Sequence, residues 1–456
     1  MTLPTGDHGA LAQAALAAAR RWAGPDALGD AYLEEIRAVT WRRGHGVPEP
    51  PRTHDDRGAA VRVWAGDDVQ MASADGPPGP AMVSCLRQLQ LPGVKGAEAV
   101  GVVEGLASPA DLPRARSTGD ETDFLAGLER GLSRALPGVR WELALEDRGR
   151  ATLVVNDEDR LAGGTSRWLR LQVRGAGDPG VARWSGGAAS LVALARAWKV
   201  ERLAGVLKRR LQGNRSPMAG RPRCEPDTPV IFAAGNGGLL LHELAHGLEA
   251  DQVARGWSAW SAGGESVSPL VTLWDDPSRP GLRGSYQTDD EGCPARRRLL
   301  IRQGKILGRL GDRRHAGSVA GAEDGHGRRS SRHAAPRPRS ANLCMAAGDM
   351  PTAALSVVPR PVLWVHDLEA GATDPHSAHV HLRVSDGEWL EDGRVLGAVS
   401  GISLEGWLPE ILAGIDRVGS ERLADSGAAT CGRDGEGVPV GFLTPAFRTR
   451  GLWEPA

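Results

Sequence analysis

His242, Glu243 and His246 make an HExxH run inside the apolar stretch Leu239 to Leu248. Residues four apart on an α-helix share a face, about 6 Å between Cβ atoms, so both imidazoles can converge on one Zn²⁺. Glu243 then lies beside the metal, placed to take a proton from water that the metal acidifies and to pass it to a leaving amine. That is metalloprotease chemistry. The pentapeptide leaves two positions free, and a histidine pair on an amphipathic helix also reads as a hydrogen-bonded edge. Its surroundings favour the metal. Pro229 to Ala234 is a short apolar run suited to a buried strand, Gly235-Asn236-Gly237-Gly238 breaks it, and the helix follows directly with Leu239, Leu240 and Leu241 to bury its first turn.

The elements that must hold this helix read as a two-domain α+β chain. Residues 1–212 are expected to form an α/β N-terminal domain, 213–229 a linker punctuated by proline and glycine, and 230–456 a β-rich, mainly antiparallel C-terminal domain carrying the HExxH helix. In the first part, 9–23 reads as a helix and Tyr32 to Trp41 as a strand, while Ala60 to Trp64 with Val69 to Ala72 reads as a hairpin. Leu125, Leu128, Leu132 and Leu136 mark one helical stripe, strands follow at 141–145, 151–155 and 168–173, and Ser190 to Leu211 reads as one long helix. In the second part, Gln303-Gly304 and Asp392-Gly393 are hairpin turns between apolar runs, and Pro409 to Val418 reads as a helix.

With 55 basic and 56 acidic residues the chain has no overall attraction to nucleic acid or anionic membrane. No window approaches 18 consecutive apolar residues, so no transmembrane helix is expected. The alanine-rich run before Arg20-Arg21 has no basic region in front of it and makes a poor signal peptide, and the five cysteines are scattered without a CxxC pair. The expected compartment is the cytoplasm. Residues 296–339 carry 13 Arg and Lys against 3 acids but no aromatic residue, which disfavours single-strand nucleic-acid binding and leaves a solvated or substrate-facing surface as the expectation. His379 and His381 share one side of a period-two stretch, where exposed histidines are commoner than a second metal site.

Several stretches together resemble the TldD/PmbA family, the modulator-of-gyrase metallopeptidases. They are Leu240 to Glu243 running into His246-Gly247-Leu248-Glu249-Ala250-Asp251, then Arg283-Gly284-Ser285 with Thr288-Asp289-Asp290-Glu291-Gly292. Gly325-His326-Gly327-Arg328-Arg329 and Thr430-Cys431-Gly432-Arg433-Asp434-Gly435 before Val438-Pro439-Val440-Gly441 complete the set. The resemblance covers residues 225–450 well and the first domain in outline. It implies a catalytic, TldD-like subunit, a zinc peptidase of unstructured peptides, some members acting in maturation of peptide products; the alternative is a non-catalytic structural partner subunit of a TldD/PmbA-type heterodimer. It implies a partner too, a metal-free TldE/PmbA-like paralogue or a second copy. Carried over, the zinc ligands are His242, His246 and Cys431, with Glu243 as base; Glu249, three residues beyond His246, is the local alternative to Cys431 as third ligand. Asp289, Asp290 and Glu291 could meet a substrate amine, and Arg328 and Arg329 a peptide carboxylate. Catalytic members space their histidines as HExxxH. One residue fewer suits a regular α-helix in place of a π-type turn, so the deletion predicts that convergence is kept.

Overall fold

From Leu28 to Gly44 the residues alternate in the direction they face, and this alternation sets the architecture of the first half. Ala31, Leu33, Val39 and Trp41 point to one side, Asp30, Tyr32, Glu34 and Arg42 to the other. In the computed structural model, which describes residues 6–24, 26–89, 119–158, 160–178, 180–213, 222–260 and 267–455, this strand is the centre of an antiparallel sheet. Its order is Asp68–Asp75, Arg52–Ala65, Leu28–Gly44, Arg140–Asn156, Leu161–Gly177 and Gly180–Ala188, with Val47–Pro48 added at the end of the central strand. Helices cover the apolar face. Leu11, Ala15 and Met82 pack on Leu33, Val61 and Leu153 at one end. Leu128, Leu132, Leu203 and Leu207 pack on Trp41, Leu145, Leu171 and Trp184 at the other.

The second half is a larger sheet. Its main path runs Lys305–Ile306, Arg298–Arg302, Leu273–Asp275, Asn342–Met345, Gly441–Thr449, Val230–Phe232, Val362–Thr373, His379–Glu391, Ile402–Trp407 and Leu452–Trp453. Most pairs are antiparallel. Asn342–Met345 with Gly441–Thr449, and Val230–Phe232 with Val362–Thr373, are parallel. The short strand Val230–Phe232 is therefore central, and the helix that follows it, Gly238–Gly247, packs its leucines into the main core beside Phe232, Val365 and Phe442.

Both hairpin turns occur where their dipeptides stand. Gln303 and Gly304, and Asp392 and Gly393, all adopt positive φ, as a two-residue turn matching strand twist requires. Three expectations change in detail. Residues 140–156 form one long strand and not two. The helix expected from Ser190 to Leu211 is two, Leu191–Ala197 and Val200–Gly213, broken where Trp198 leaves helical geometry with its ring 4.4 Å from that of Trp184. The last helix ends at Ala413, because Val418 is taken into a strand against Phe447. Of the stretch 213–229, residues 214–221 lie outside the described part. No helix among the described residues is long and apolar enough to cross a membrane.

The two halves meet through charge. Arg62, on the polar face of the first sheet, is fully buried and pairs with Asp30 on its own sheet and with Glu291 of the second half at 2.5 Å. Arg329 donates to Asp30 at 2.9 Å, with its guanidinium 4.2 Å from the Tyr32 ring. Arg150 pairs with Glu34 at 2.7 Å and with Asp290 at 3.3 Å, Arg332 with Asp56 at 2.6 Å, and Arg313 with Asp157 at 2.9 Å.

Candidate metal centre

His242, His246 and Cys431 are brought together as a buried group whose nitrogen and sulfur atoms all lie within 4.8 Å of one another. The helix supplies the histidines. It is α-helical through Gly247 without a π turn, so its two rings, four residues apart, stand with centroids 4.7 Å apart. Cys431 comes from a hairpin, Thr430–Arg433 against Glu436–Pro439, closed by Asp434 and Gly435 at positive φ.

Each of the three has a second contact that aims it. Ser340 Oγ lies 3.0 Å from His242 Nδ1, and Glu249 Oε1 lies 3.0 Å from His246 Nδ1. These partners occupy Nδ1 on both rings and turn Nε2 inward. His246 Nε2 is 3.7 Å from Cys431 Sγ, while His242 Nε2 is buried without a hydrogen-bond partner among the described residues. Arg339 donates to Cys431 Sγ from Nε at 3.2 Å and from Nη2 at 3.0 Å. Arg433 donates to Glu249 at 2.8 Å and to Asp251 at 2.6 Å, fixing the carboxylate that holds His246.

Charge couples these groups to one another. Burial pushes the Cys431 thiol up, but His242 and His246 outweigh it and hold the thiol well below its ordinary value. Burial also opposes charge on His246, yet Glu249 and Cys431 raise it well above the usual histidine range. Glu249 is kept low, against burial, by His246 and Arg433. Glu243 behaves differently: burial raises it, although the two histidines pull it down.

This donor set fits zinc. Two imidazole nitrogens and a thiolate are zinc's preferred ligands, and nitrogen and sulfur bound to one tetrahedral ion stand about 3.6 Å apart, close to the separation of His246 and Cys431. An unpartnered, buried imidazole nitrogen is what a missing ligand bond leaves behind.

The group opens onto a cleft of about 1300 Å³ between the two halves, lined by His242, Glu243, His246 and Gly371 together with Arg42, Arg170 and Arg183 of the first sheet. Asp290, Glu291, Arg328 and Arg329 are not gathered there. Glu291 and Arg329 are buried in the ion pairs between the halves. Arg328 donates to the carbonyls of Ser340 and Pro439, and Asp290 accepts from the backbone N–H of Arg329. Asp290 and Arg328 border a separate cavity of about 430 Å³. Asp290, Glu291 and Arg329 are spent in internal ion pairs; within 296–339, Arg328, Arg329, Arg332 and Arg339 are buried donors and not the solvated or substrate-facing surface expected, while Arg296, Arg297, Arg302 and Lys305 are exposed. His379 and His381 do share a side, 3.2 Å apart, with His381 against Glu405 and His379 against Trp407. Sequence reasoning missed Ser340 and Arg339 as supports of the centre, because no period or motif separates them from neighbouring polar residues, and it gave Arg433 no role although it stands in the Cys431 motif.

The segment 225–452 matches the family described as the PmbA/TldA metallopeptidase C-terminal domain. The chain is 33% identical over 223 residues to the metalloprotease TldD homolog of Haemophilus influenzae, covering 48% of this chain and 46% of that one. It is 31% identical over 217 residues to a metalloprotease of Methanothermobacter thermautotrophicus, covering 47% of each. The chain thus spans about half the length of the curated relatives it matches. The fold is shared along nearly the whole chain with TldE from Thermococcus kodakarensis, at a TM-score of 0.68 and 16% identity over 94% of this chain and 97% of that one. A putative modulator of DNA gyrase from Bacteroides thetaiotaomicron has a TM-score of 0.71 at 13% identity, with 98% of each chain covered.

Proposed function

Because this chain belongs to the TldD/PmbA family of metallopeptidases, we propose that it is a zinc-dependent peptidase of short or unfolded peptides, the catalytic member of its kind. The observation that carries the reading is the convergence of His242, His246 and Cys431 beside the carboxylate of Glu243. Those three residues would hold a zinc ion, which would supply Lewis acidity for a scissile carbonyl and acidify a water. Glu243, beside them, is the group that accepts a proton from water and returns it to the leaving amine. Ser340, Glu249 and Arg339 keep the three donors in place. His242, Glu243 and His246 are each at most 8% exposed, so only a chain that can extend into the cleft reaches them. Peptide segments do so, and stably folded proteins do not.

The division into residues 1–212, a linker at 213–229 and 230–456 belongs to this proposal. So do a TldE/PmbA-like paralogue or a second copy as partner, the cytoplasm as compartment, and maturation of a peptide product as a cellular role. Metal analysis is the direct test. The purified chain, alone and with its candidate partner, is expected to hold zinc and to cleave an unstructured peptide, and a chelator is expected to abolish the turnover. Cobalt substitution reads the third ligand independently: a sulfur-to-cobalt charge-transfer band is expected in the wild type and absent from Cys431→Ala, whose zinc affinity falls at least about 10-fold. A fully cobalt-loaded wild type without that band would remove Cys431 from the ligand set.

Gly371 gives a second test, because a Cβ built there would stand 2.8 Å from Glu243 Oε1. Gly371→Ala must displace the carboxylate while leaving all three metal donors untouched. The expected result is a turnover loss of roughly 10- to 100-fold at unchanged zinc content. Full activity in that variant would show that Glu243 has no fixed working position.

A further inference from the structure

The cleft face of the first sheet carries cations that the metal chemistry does not use. On Leu28–Gly44, Arg140–Asn156, Leu161–Gly177 and Gly180–Ala188, the residues Trp41, Leu143, Leu171 and Trp184 turn toward the helices. Strand alternation sends their neighbours Arg42, Arg170 and Arg183 to the opposite face, where they line the same cleft as His242, Glu243 and His246.

Most charges in this cleft are engaged with one another, and Glu146 stands opposite Arg170 in the strand register without closing to an ion pair. Glu142 is paired with Arg174 at 2.7 Å, Asp367 with Arg210, and Glu369 with Arg383 at 3.4 Å. Asp425 accepts the backbone N–H groups of Gly427 at 2.9 Å and Phe442 at 3.1 Å. Glu49 lies 3.7 Å from Arg52, and Asp434 is paired with Arg337. Every lining carboxylate except Glu243 is thereby engaged. Among the described residues, Arg42, Arg170 and Arg183 pair with no carboxylate; Arg170 donates from Nε to Ser185 Oγ at 3.1 Å, a neutral partner. Arg283, whose guanidinium donates to the cleft-lining loop at Ala428 and Thr430, is pulled down to about 10 by burial and then by Arg170, with Asp425 and Glu146 opposing.

A guanidinium fork outside any internal ion pair is free to take a carboxylate from outside in bidentate geometry. We propose that this cleft selects its peptides by their carboxylates, with Arg42, Arg170 and Arg183 binding acidic groups of the substrate while the peptide lies at the metal centre. The assignment of a substrate class rests on the peptidase reading above, and it makes the three arginines specificity determinants of that reaction.

Binding separates the two ideas. Short fluorescein-labelled peptides, identical except for a central run of Glu, Gln or Lys and each made with a free and an amidated C-terminus, are titrated into the zinc-loaded Glu243→Gln protein by fluorescence anisotropy. The Glu peptide is expected to bind about 10-fold tighter than the Gln peptide at low salt, with the advantage shrinking as salt is added. A preference for the Glu peptide in both terminal forms assigns the recognised groups to side chains, and tighter binding of all three peptides with the free terminus than with the amide adds the terminal carboxylate to them. In the Arg42→Gln, Arg170→Gln, Arg183→Gln triple variant the ratio is expected to fall to about 1, and Arg170→Glu with Arg183→Glu is expected to make the Lys peptide the better ligand. Circular dichroism checks that these variants of solvent-facing strand positions remain folded. Equal binding of all peptides by the parent protein, or an acidic preference intact in the triple variant, overturns the proposal. Because cleavage is not read, a protein that binds acidic peptides without ever hydrolysing one keeps this inference and loses the peptidase reading. A peptidase indifferent to charge does the reverse.

Discussion

Glu243→Gln is expected to keep its zinc and to lose turnover by on the order of 10²-fold or more. The substitution preserves the shape of the side chain and removes only its capacity to accept and return a proton. None of the contacts that orient the metal donors involves it: His242 is held by Ser340, His246 by Glu249, and Cys431 by Arg339. Glu243 is 4% exposed, and the lack of a side chain at Gly371 leaves room for its carboxylate. Parallel zinc analysis and peptide turnover distinguish the outcomes. Retained zinc with retained activity would mean that the proton is moved by another group, and lost zinc would mean that Glu243 is itself a ligand.

The largest effect on stability is expected at Asp30. Its carboxylate, with no exposed surface, takes both Arg62 and Arg329. Asp30→Ala leaves two buried guanidinium groups short of a counter-charge, and removing one partner of such a pair costs about 3–5 kcal/mol. Urea denaturation should show this as a lowered midpoint; a change below about 1 kcal/mol would mean that water or a rearranged Glu291 compensates. The pH dependence follows in sign. Burial pushes the Asp30 carboxyl up, but Arg62 and Arg329 outweigh it and hold it below its ordinary value. Its contribution is therefore complete above a pH of about 4 and is lost as the pH falls through the lower, folded value. In Asp30→Ala that acid-sensitive component should be missing.

What could be read from the sequence, and what could not, divides by distance along the chain. The HExxH helix, the strand before it and the turns at Gln303-Gly304 and Asp392-Gly393 depend on near neighbours, so period and turn chemistry expose them. Cys431 stands 185 residues from His246, and only the resemblance of its motif pointed to it. Arg328 and Arg329 show the limit clearly. A solvated arginine, a substrate-binding arginine and a buried structural one are the same letter, and what separates them is whether a carboxylate such as Asp30 arrives from elsewhere in the fold. Trp198 carries the same lesson for helices: helical propensity continues through it, and packing on Trp184 ends the segment.

The charged junction between the halves also has a consequence in time. Its partners are 229 residues apart for Arg62 and Glu291, 298 for Glu34 and Arg332, and 299 for Asp30 and Arg329. At translation rates of about 5–20 residues per second, the first sheet leaves the ribosome on the order of 10 to 60 s before the groups that neutralise it. During that interval Asp30 and Arg62 have only water and each other as partners, and Glu34 has water and the Arg150 of its own sheet. A hydrated, charged face is a poor surface for another nascent sheet to stick to, so the residues that later fasten the halves together first serve to keep the unfinished chain apart from its neighbours.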